Sequence, residues 1–207
     1  MLIIVAVSLG FALGSIPTAY LVGRLHGVDI RKHGSGNVGM TNAWRVLGWK
    51  AALPVGIVDV LKGYLASAWV SRLGVVGGID PVYAGILVGT AAILGHVFTP
   101  WLGFRGGKGV ATGAGALLGL MPVPVGICAA VFAVAVLATR TVSVGSLSAA
   151  AALPLVVLLL DRLTGLSYGP ALLWLSVGLA AFVFWTHRSN IRRLLHGEEL
   201  SFRRGRR

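Results

Sequence analysis

The sequence predicts an all-α polytopic membrane protein of about seven transmembrane helices, with the amino terminus outside and the carboxyl terminus cytoplasmic. Three observations predict it. Of the 207 residues, 56% are hydrophobic and only 12% charged, outside the balance of a water-soluble globular domain. The apolar residues gather in runs close to the ~20 residues that a helix needs to cross a bilayer. Threading those runs alternately through a membrane puts all of the 18 Lys and Arg residues on one side except Arg72, Arg162 and Lys62.

The elements follow in order. Leu2 to Val22 lacks a positively charged start and precedes no soluble domain, so it reads as a first span, not a removable signal peptide. Gly23 to Lys50 is an inside segment carrying Arg24, Arg31, Lys32, Arg45 and Lys50. Ala51 to Val70 and Val82 to Leu102 are the next spans, with Arg72 between them, and Gly103 to Gly109 returns inside with Arg105 and Lys108. Val110 to Met121 and Val125 to Ala138 are short. The "LMPVPVG" between them reads either as a tight Pro turn joining two helices or as a bend in one span. With a reversal there, Arg140 and the carboxyl-terminal tail share the side of the first two basic loops; without it they land opposite, so the seven-helix count is favoured. Val144 to Leu160 and Pro170 to Trp185 complete the set. No internal boundary stands out, and residues 1–207 read as a single integral-membrane domain whose basic tail, 200–207, suits a lipid-headgroup anchor.

Composition and motif tests exclude several functions. A net charge of +12 on a soluble chain would raise nucleic acid as a partner, but here the basic residues sit in loops at span ends, as membrane topology requires. Cys128 lies alone in an apolar run and reads as packing. The "GGKG" string is no Walker A loop, because Leu102 and Gly109 stand where that loop needs Gly and Ser or Thr. The six acidic residues, Asp29, Asp59, Asp80, Asp161, Glu198 and Glu199, are mostly scattered, so no metal site is expected. No His is followed five positions later by Asp, the signature of the common lipid acyltransferases.

Three polar segments face the inside together: "HGSGNVGMTNAWR" (His33 to Arg45), "GFRGGKGVATG" (Gly103 to Gly113) and "THRSNIRRLLHGEE" (Thr186 to Glu199). Glycines let the backbone turn successive N–H groups into one concavity, and such nests bind anions. Arg45 and Lys108 add fixed charge, and helices starting just after the first two loops add the positive ends of their dipoles. Two such cradles on one face point to two bound anionic groups, most simply two phosphates. By contrast "GILVG" (Gly85 to Gly89) and "GALLG" (Gly115 to Gly119) read as helix-packing contacts. Asp59 and Lys62, three apart on one helical face, read as a structural ion pair under the polar loops, and His96 as a structural hydrogen-bonding residue. A membrane carrier for phosphate or glycerol phosphate is the competing class, since basic glycine loops suit it too, although the spans hold almost no other charge.

Taken in order, "GSGNVGMTNAWRVLG", "GHVFTPWLGFRGGKGVAT" and "HRSNIRRLLHGEE" resemble the three cytoplasmic motifs of the PlsY-type acylphosphate:glycerol-3-phosphate acyltransferases of bacterial membranes. The resemblance runs from "GSIPTAYLVGRL" at Gly14 to Glu199; in the first motif Val38 and Met40 replace the family's usual Pro and Ala. It implies transfer of a fatty acyl group from acyl phosphate to the 1-hydroxyl of glycerol 3-phosphate, giving lysophosphatidic acid and phosphate, the first acylation of phospholipid synthesis. It implies a monomer with no cofactor, multi-pass in the bacterial cytoplasmic (inner) membrane, its active site on the cytoplasmic face. Matched position by position, Ser35, Arg45, Lys108, His187 and Asn190 are expected to hold glycerol 3-phosphate and orient its hydroxyl. The backbone of Gly34, Gly36, Gly39, Gly106, Gly107 and Gly109, with Asn37, Thr41, Asn42 and Thr112, is expected to hold the acyl-phosphate headgroup, with Lys108 able to serve both phosphates. His187 either accepts the hydroxyl proton or only donates to phosphate, a substrate phosphate oxygen then taking the proton.

Overall fold

The computed structural model describes residues 1–201; positions 202–207, and with them most of the expected headgroup anchor, lie outside the described residues. Among the described residues every regular element is helical. The chain divides into two compact units, one from Met1 to Leu120 and one beginning at Met121.

In the first unit the opening span is broken, with α1 over Leu2–Ser15 and α2 over Thr18–Leu25. Pro17 is the cause, since it has no N–H to continue the helix. The carbonyls exposed at the break are taken up by side chains: Thr99 Oγ1 donates to Ser15 O at 2.6 Å and Lys62 Nζ to Ile16 O at 3.0 Å. After a 3₁₀ turn at Ile30–Lys32 come α3 (Met40–Leu47) and α4 (Trp49–Leu65). The latter runs through a π-helical turn, Ala66–Val70, towards α5 (Arg72–Val76). Helix α6 (Pro81–Val97) starts with Pro81 in its first turn and Asp80 as cap, its carboxylate accepting from Val82 N at 2.9 Å. Helix α7 covers Val110–Leu118.

Glycines set the two closest crossings. A Cβ on Gly14 of α1 would collide with the Ala92 carbonyl of α6, and one on Gly95 of α6 with the Phe11 carbonyl. Gly63 of α4 and Gly115 of α7 meet Thr112 O and Val60 O in the same way. Gly85 and Gly89 face Leu120, Ser67 and Ala116, so the small-residue pairs do serve as packing contacts.

In the second unit α8 (Pro122–Thr139) and α9 (Val142–Leu163) are joined through Arg140 in a left-handed conformation, followed by α10 (Gly169–Thr186) and α11 (Arg188–Leu195). Gly145 of α9 lies against Phe132 and Val136 of α8. Pro122 opens α8 at a position that needs no N–H, so the segment that looked short from Val125 is an 18-residue helix.

Six helical stretches among the described residues are long and apolar enough to cross a membrane: 2–25, 49–76, 81–102, 122–139, 142–163 and 169–186. The seventh expected span, Val110 to Met121, is represented by α7 alone. Its nine residues extend about 13.5 Å, short of a hydrocarbon core of roughly 30 Å. The helix is given up before Met121, whose φ of −149° is not helical.

Candidate active site

The first polar segment is only half a loop. From Met40 onward it is α3, which carries Thr41, Asn42 and Arg45. Asn42 is fully buried and reaches back across the loop: Nδ2 donates to Ile30 O and His33 O, both at 3.1 Å, while Oδ1 accepts from Ser35 N at 2.8 Å. A Cβ on Gly34, whose φ is +61°, would overlap Asn42 Oδ1, so only glycine lets the amide close this loop. Asn42 was expected at the acyl-phosphate headgroup. Its side chain instead fixes the loop, and its hydrogen bonds go to backbone. Gly36 likewise donates its N–H inward, to His33 O at 3.0 Å. Ser35, Asn37, Gly39 and Thr41 are half-buried around the turn, and Arg45 is exposed on α3.

The second segment folds back over the end of α6. Gly103 and Phe104 are both left-handed, with φ of +63° and +60°. The chain thereby returns so that Gly106 N donates to Val97 O at 2.9 Å and Gly107 N to His96 O at 3.1 Å. These bonds take up carbonyls that a helix end leaves without partners. The N–H groups of Gly106 and Gly107, expected to cradle a phosphate, are thus engaged in capping α6. Lys108 follows, half-buried, and Gly109 at φ +82° opens α7. Thr112 lies in the first turn of α7, fully buried, and its Oγ1 has no hydrogen-bond partner among the described residues.

Beneath this loop is a buried polar group. Lys62 Nζ lies 2.9 Å from Asp59 Oδ1 and 2.8 Å from His96 Nδ1, and Thr18 Oγ1 donates to Asp59 Oδ1 at 3.1 Å. Asp59 and Lys62 do form the ion pair read from their spacing, at 2% exposure each. The sequence reading missed the part played by the helix break at Ile16 and Pro17, although a proline inside an apolar span was its signal.

In the second unit the third segment is also mostly helix, not loop. His187 ends α10, buried, with its Nδ1 2.8 Å from Val183 O. A carbonyl can only accept, so Nδ1 carries a proton and a neutral ring keeps its lone pair on Nε2. Asn190, on α11, donates Nδ2 to Glu199 Oε1 at 2.5 Å. Glu199 also accepts from Ser143 Oγ at 2.9 Å and from Arg193 Nε at 2.7 Å. Burial pushes the Glu199 carboxyl up, but the bonds from Asn190, Arg193 and Ser143 outweigh it and hold the group below its ordinary value. Glu199 and Ser143 were not singled out from sequence. The available signal was Asn190 and Arg193, three apart on one helical face, with an acidic residue closing the segment.

The chain matches the model of the family described as glycerol-3-phosphate acyltransferase over residues 4–197. It is 42% identical to a glycerol-3-phosphate acyltransferase of Chlorobaculum parvum across 97% of both chains, and 42% identical to one of Chlorobium phaeobacteroides across 95% of both. Among solved structures it is similar to PlsY (YgiH), an integral membrane glycerol 3-phosphate acyltransferase, in its glycerol 3-phosphate form, with a TM-score of 0.85 and 34% identity over 97% of this chain and 95% of that one. The lysophosphatidic acid form of the same enzyme gives a TM-score of 0.83. With the family model spanning almost the whole chain and relatives this similar matching end to end, the chain belongs to the glycerol-3-phosphate acyltransferase family of integral membrane enzymes.

Proposed function

We propose that this enzyme takes a fatty acyl group from acyl phosphate and places it on the 1-hydroxyl of glycerol 3-phosphate. The observation that carries the reading is the pair of ligand forms of the structural neighbour, glycerol 3-phosphate and lysophosphatidic acid. The second molecule is the first with one acyl ester added, which supports glycerol 3-phosphate as acceptor and lysophosphatidic acid as product and leaves the donor to be argued. The fixed positive charges of Arg45 and Lys108, on the two polar segments of the first unit, favour a donor that is itself a phosphate.

The hydroxyl oxygen attacks the acyl carbonyl carbon, the bond from that carbon to the phosphate oxygen breaks, and inorganic phosphate departs. The hydroxyl proton goes to His187 Nε2 or to a phosphate oxygen. A mixed anhydride already has a good leaving group, so positioning and stabilisation of developing negative charge supply the acceleration. In the first unit Ser35, Arg45 and Lys108 act on glycerol 3-phosphate. Gly34, Asn37, Gly39, Thr41, Gly109 and Thr112 are left to the donor headgroup once Gly36, Asn42, Gly106 and Gly107 are assigned to holding the loops. The part given to His187 and Asn190 rests on the resemblance of the third motif. The charge distribution supports a cytoplasmic active face in the bacterial inner membrane, with α7 as a partial seventh crossing.

Purified enzyme in detergent, given palmitoyl phosphate and glycerol 3-phosphate, is expected to release phosphate and lysophosphatidic acid in equal amounts only when both substrates are present. Lys108→Ala is expected to lose that turnover. Turnover with an acyl thioester and none with acyl phosphate would overturn the donor assignment.

A further inference from the structure

Lys62, paired with the Asp59 carboxylate, is an ammonium with three protons and no lone pair. Its three partners are Asp59 Oδ1 at 2.9 Å, Ile16 O at 3.0 Å and His96 Nδ1 at 2.8 Å. An ammonium that donates to Nδ1 requires a lone pair there, so the proton of the neutral His96 ring sits on Nε2. Asp59 Oδ1 is 3.8 Å from Nδ1, beyond hydrogen-bond range, which leaves Lys62 as the group that sets the tautomer. Asp59, Lys62 and neutral His96 together carry no net charge, as their burial inside a membrane span demands.

The Nε2–H edge is turned towards the second motif. A Cβ on Gly107 would collide with His96 Nε2 and would stand 2.9 Å from Val38 O. One point in the structure therefore gathers the His96 ring, the α-carbon of Gly107 in the second motif and a carbonyl of the first. The His96 backbone holds the same glycine by accepting its N–H at 3.1 Å. The next residue is Lys108.

We propose that His96 is a positioning residue of the transferase. Its ring, held by Lys62 at Nδ1, packs its Nε2 edge on Gly107 and so keeps that glycine against Val38 and aims Lys108 at the phosphate of glycerol 3-phosphate. This rests on the role given to Lys108 above.

Two substitutions separate the two ends of the ring. His96→Asn keeps a polar group near the Nδ1 position and leaves the Nε2 position against Gly107 empty, whereas His96→Gln reaches far enough to fill it. Steady-state kinetics, and thermal stabilisation of the purified protein by glycerol 3-phosphate, are the readouts. His96→Gln is expected to stay within about 3-fold of the unsubstituted enzyme, while His96→Asn raises KM for glycerol 3-phosphate by ~10–100-fold with a smaller change in kcat. Asn rescuing as well as Gln, or both variants matching the unsubstituted enzyme, would overturn the proposal. Folded variants that lose binding alike would overturn it too; where the variants do not fold, nitrogen-15 NMR of the unsubstituted protein decides: a protonated Nε2 with a bare Nδ1 on His96 upholds the ring orientation set by Lys62, and the opposite tautomer sinks it. Glycerol 3-phosphate binding needs no acyl donor, so binding without acyl-phosphate turnover counts against the donor assignment and leaves this inference standing.

Discussion

Asp59 and Glu199 each gather donors around one buried carboxylate, but in different surroundings. Asp59 is in the first unit, inside the 49–76 span, where it meets Lys62 and Thr18. Glu199 follows α11 in the second unit, beyond the last candidate span, and meets Ser143, Asn190 and Arg193. Within a span no water is at hand to replace a lost partner, so a broken pair leaves a bare charge. Beyond the spans, water can enter when the clasp opens. The difference teaches that the same carboxylate chemistry tolerates no lost partner in one place and is open to water in the other.

The sharpest way to break the comparison is Lys62→Met. It strips the donor from Asp59, from Ile16 O and from His96 Nδ1 together, and removing one partner of a buried pair costs about 3–5 kcal/mol. Poor yield and a markedly lower unfolding temperature in detergent are expected. Asp59→Asn, which leaves the ammonium without its counter-charge, is expected to follow the same course; normal protein levels with full activity would remove any important role for this pair. The double variant Asp59→Leu with Lys62→Leu sharpens the point. Replacing both charges with apolar groups should restore much of the stability, while the loss of the His96 partner should keep KM for glycerol 3-phosphate high.

Glu199→Gln comes next. Hydrogen bonds to a charged group are worth roughly 1.5–3 kcal/mol each, and an amide keeps part of that. Faster hydrogen exchange across residues 186–201 is expected, with little change elsewhere. The pH dependence has a definite sign. The folded carboxyl sits below its ordinary 4.5, so its stabilisation is full above that value and is lost as pH falls through the lower folded one. Exchange protection of α11 should therefore decline with acid in the parent enzyme and remain flat in Glu199→Gln.

Asn42→Ala tests a neutral anchor of the same design. It removes three loop hydrogen bonds and leaves Ser35 N and two carbonyls without that partner, at about 1–3 kcal/mol for each group left buried and unsatisfied. Weaker glycerol 3-phosphate binding is the expected outcome, because the backbone of Ser35 is no longer fixed.

How much of this was legible follows from which interactions are local. Apolar runs located the six long helical stretches, missing by most at the end of the second, expected at Val70 and found at Val76, since span length and composition are local properties. The Asp59 and Lys62 pair was legible because three residues make one helical step. Three things were not. Pro17 in the first apolar run gave no hint that its loosened carbonyls meet Lys62 and Thr99, more than forty and eighty residues away. The nine-residue length of α7 depends on where the chain abandons helical geometry near Met121. The double use of motif residues was hidden as well. Asn42, Gly106 and Gly107 look like phosphate ligands by type, yet their polar groups bind backbone in the fold. A motif marks residues that the site cannot do without, and does not separate those that touch substrate from those that hold the ones that do.

Asp29 supplies the control with the smallest expected effect. Its carboxylate accepts from Arg31 Nη2 at 2.8 Å and Nε at 2.9 Å, two bonds from one guanidinium where Glu199 takes one from Arg193. The bonds from the Arg31 guanidinium hold its carboxyl well below the usual carboxylate range. By pairing alone it should rank beside the other two anchors. Its partner's side chain, however, is 42% exposed, and water competes for every bond the pair makes. An amide at this position would also keep the one local bond that shapes the turn, from Arg31 N at 3.1 Å. Asp29→Asn is therefore expected to leave the unfolding temperature and the KM for glycerol 3-phosphate unchanged. A drop in stability as large as that of Glu199→Gln would mean that burial is not what separates these anchors, and would move the explanation to the shape of the first loop itself.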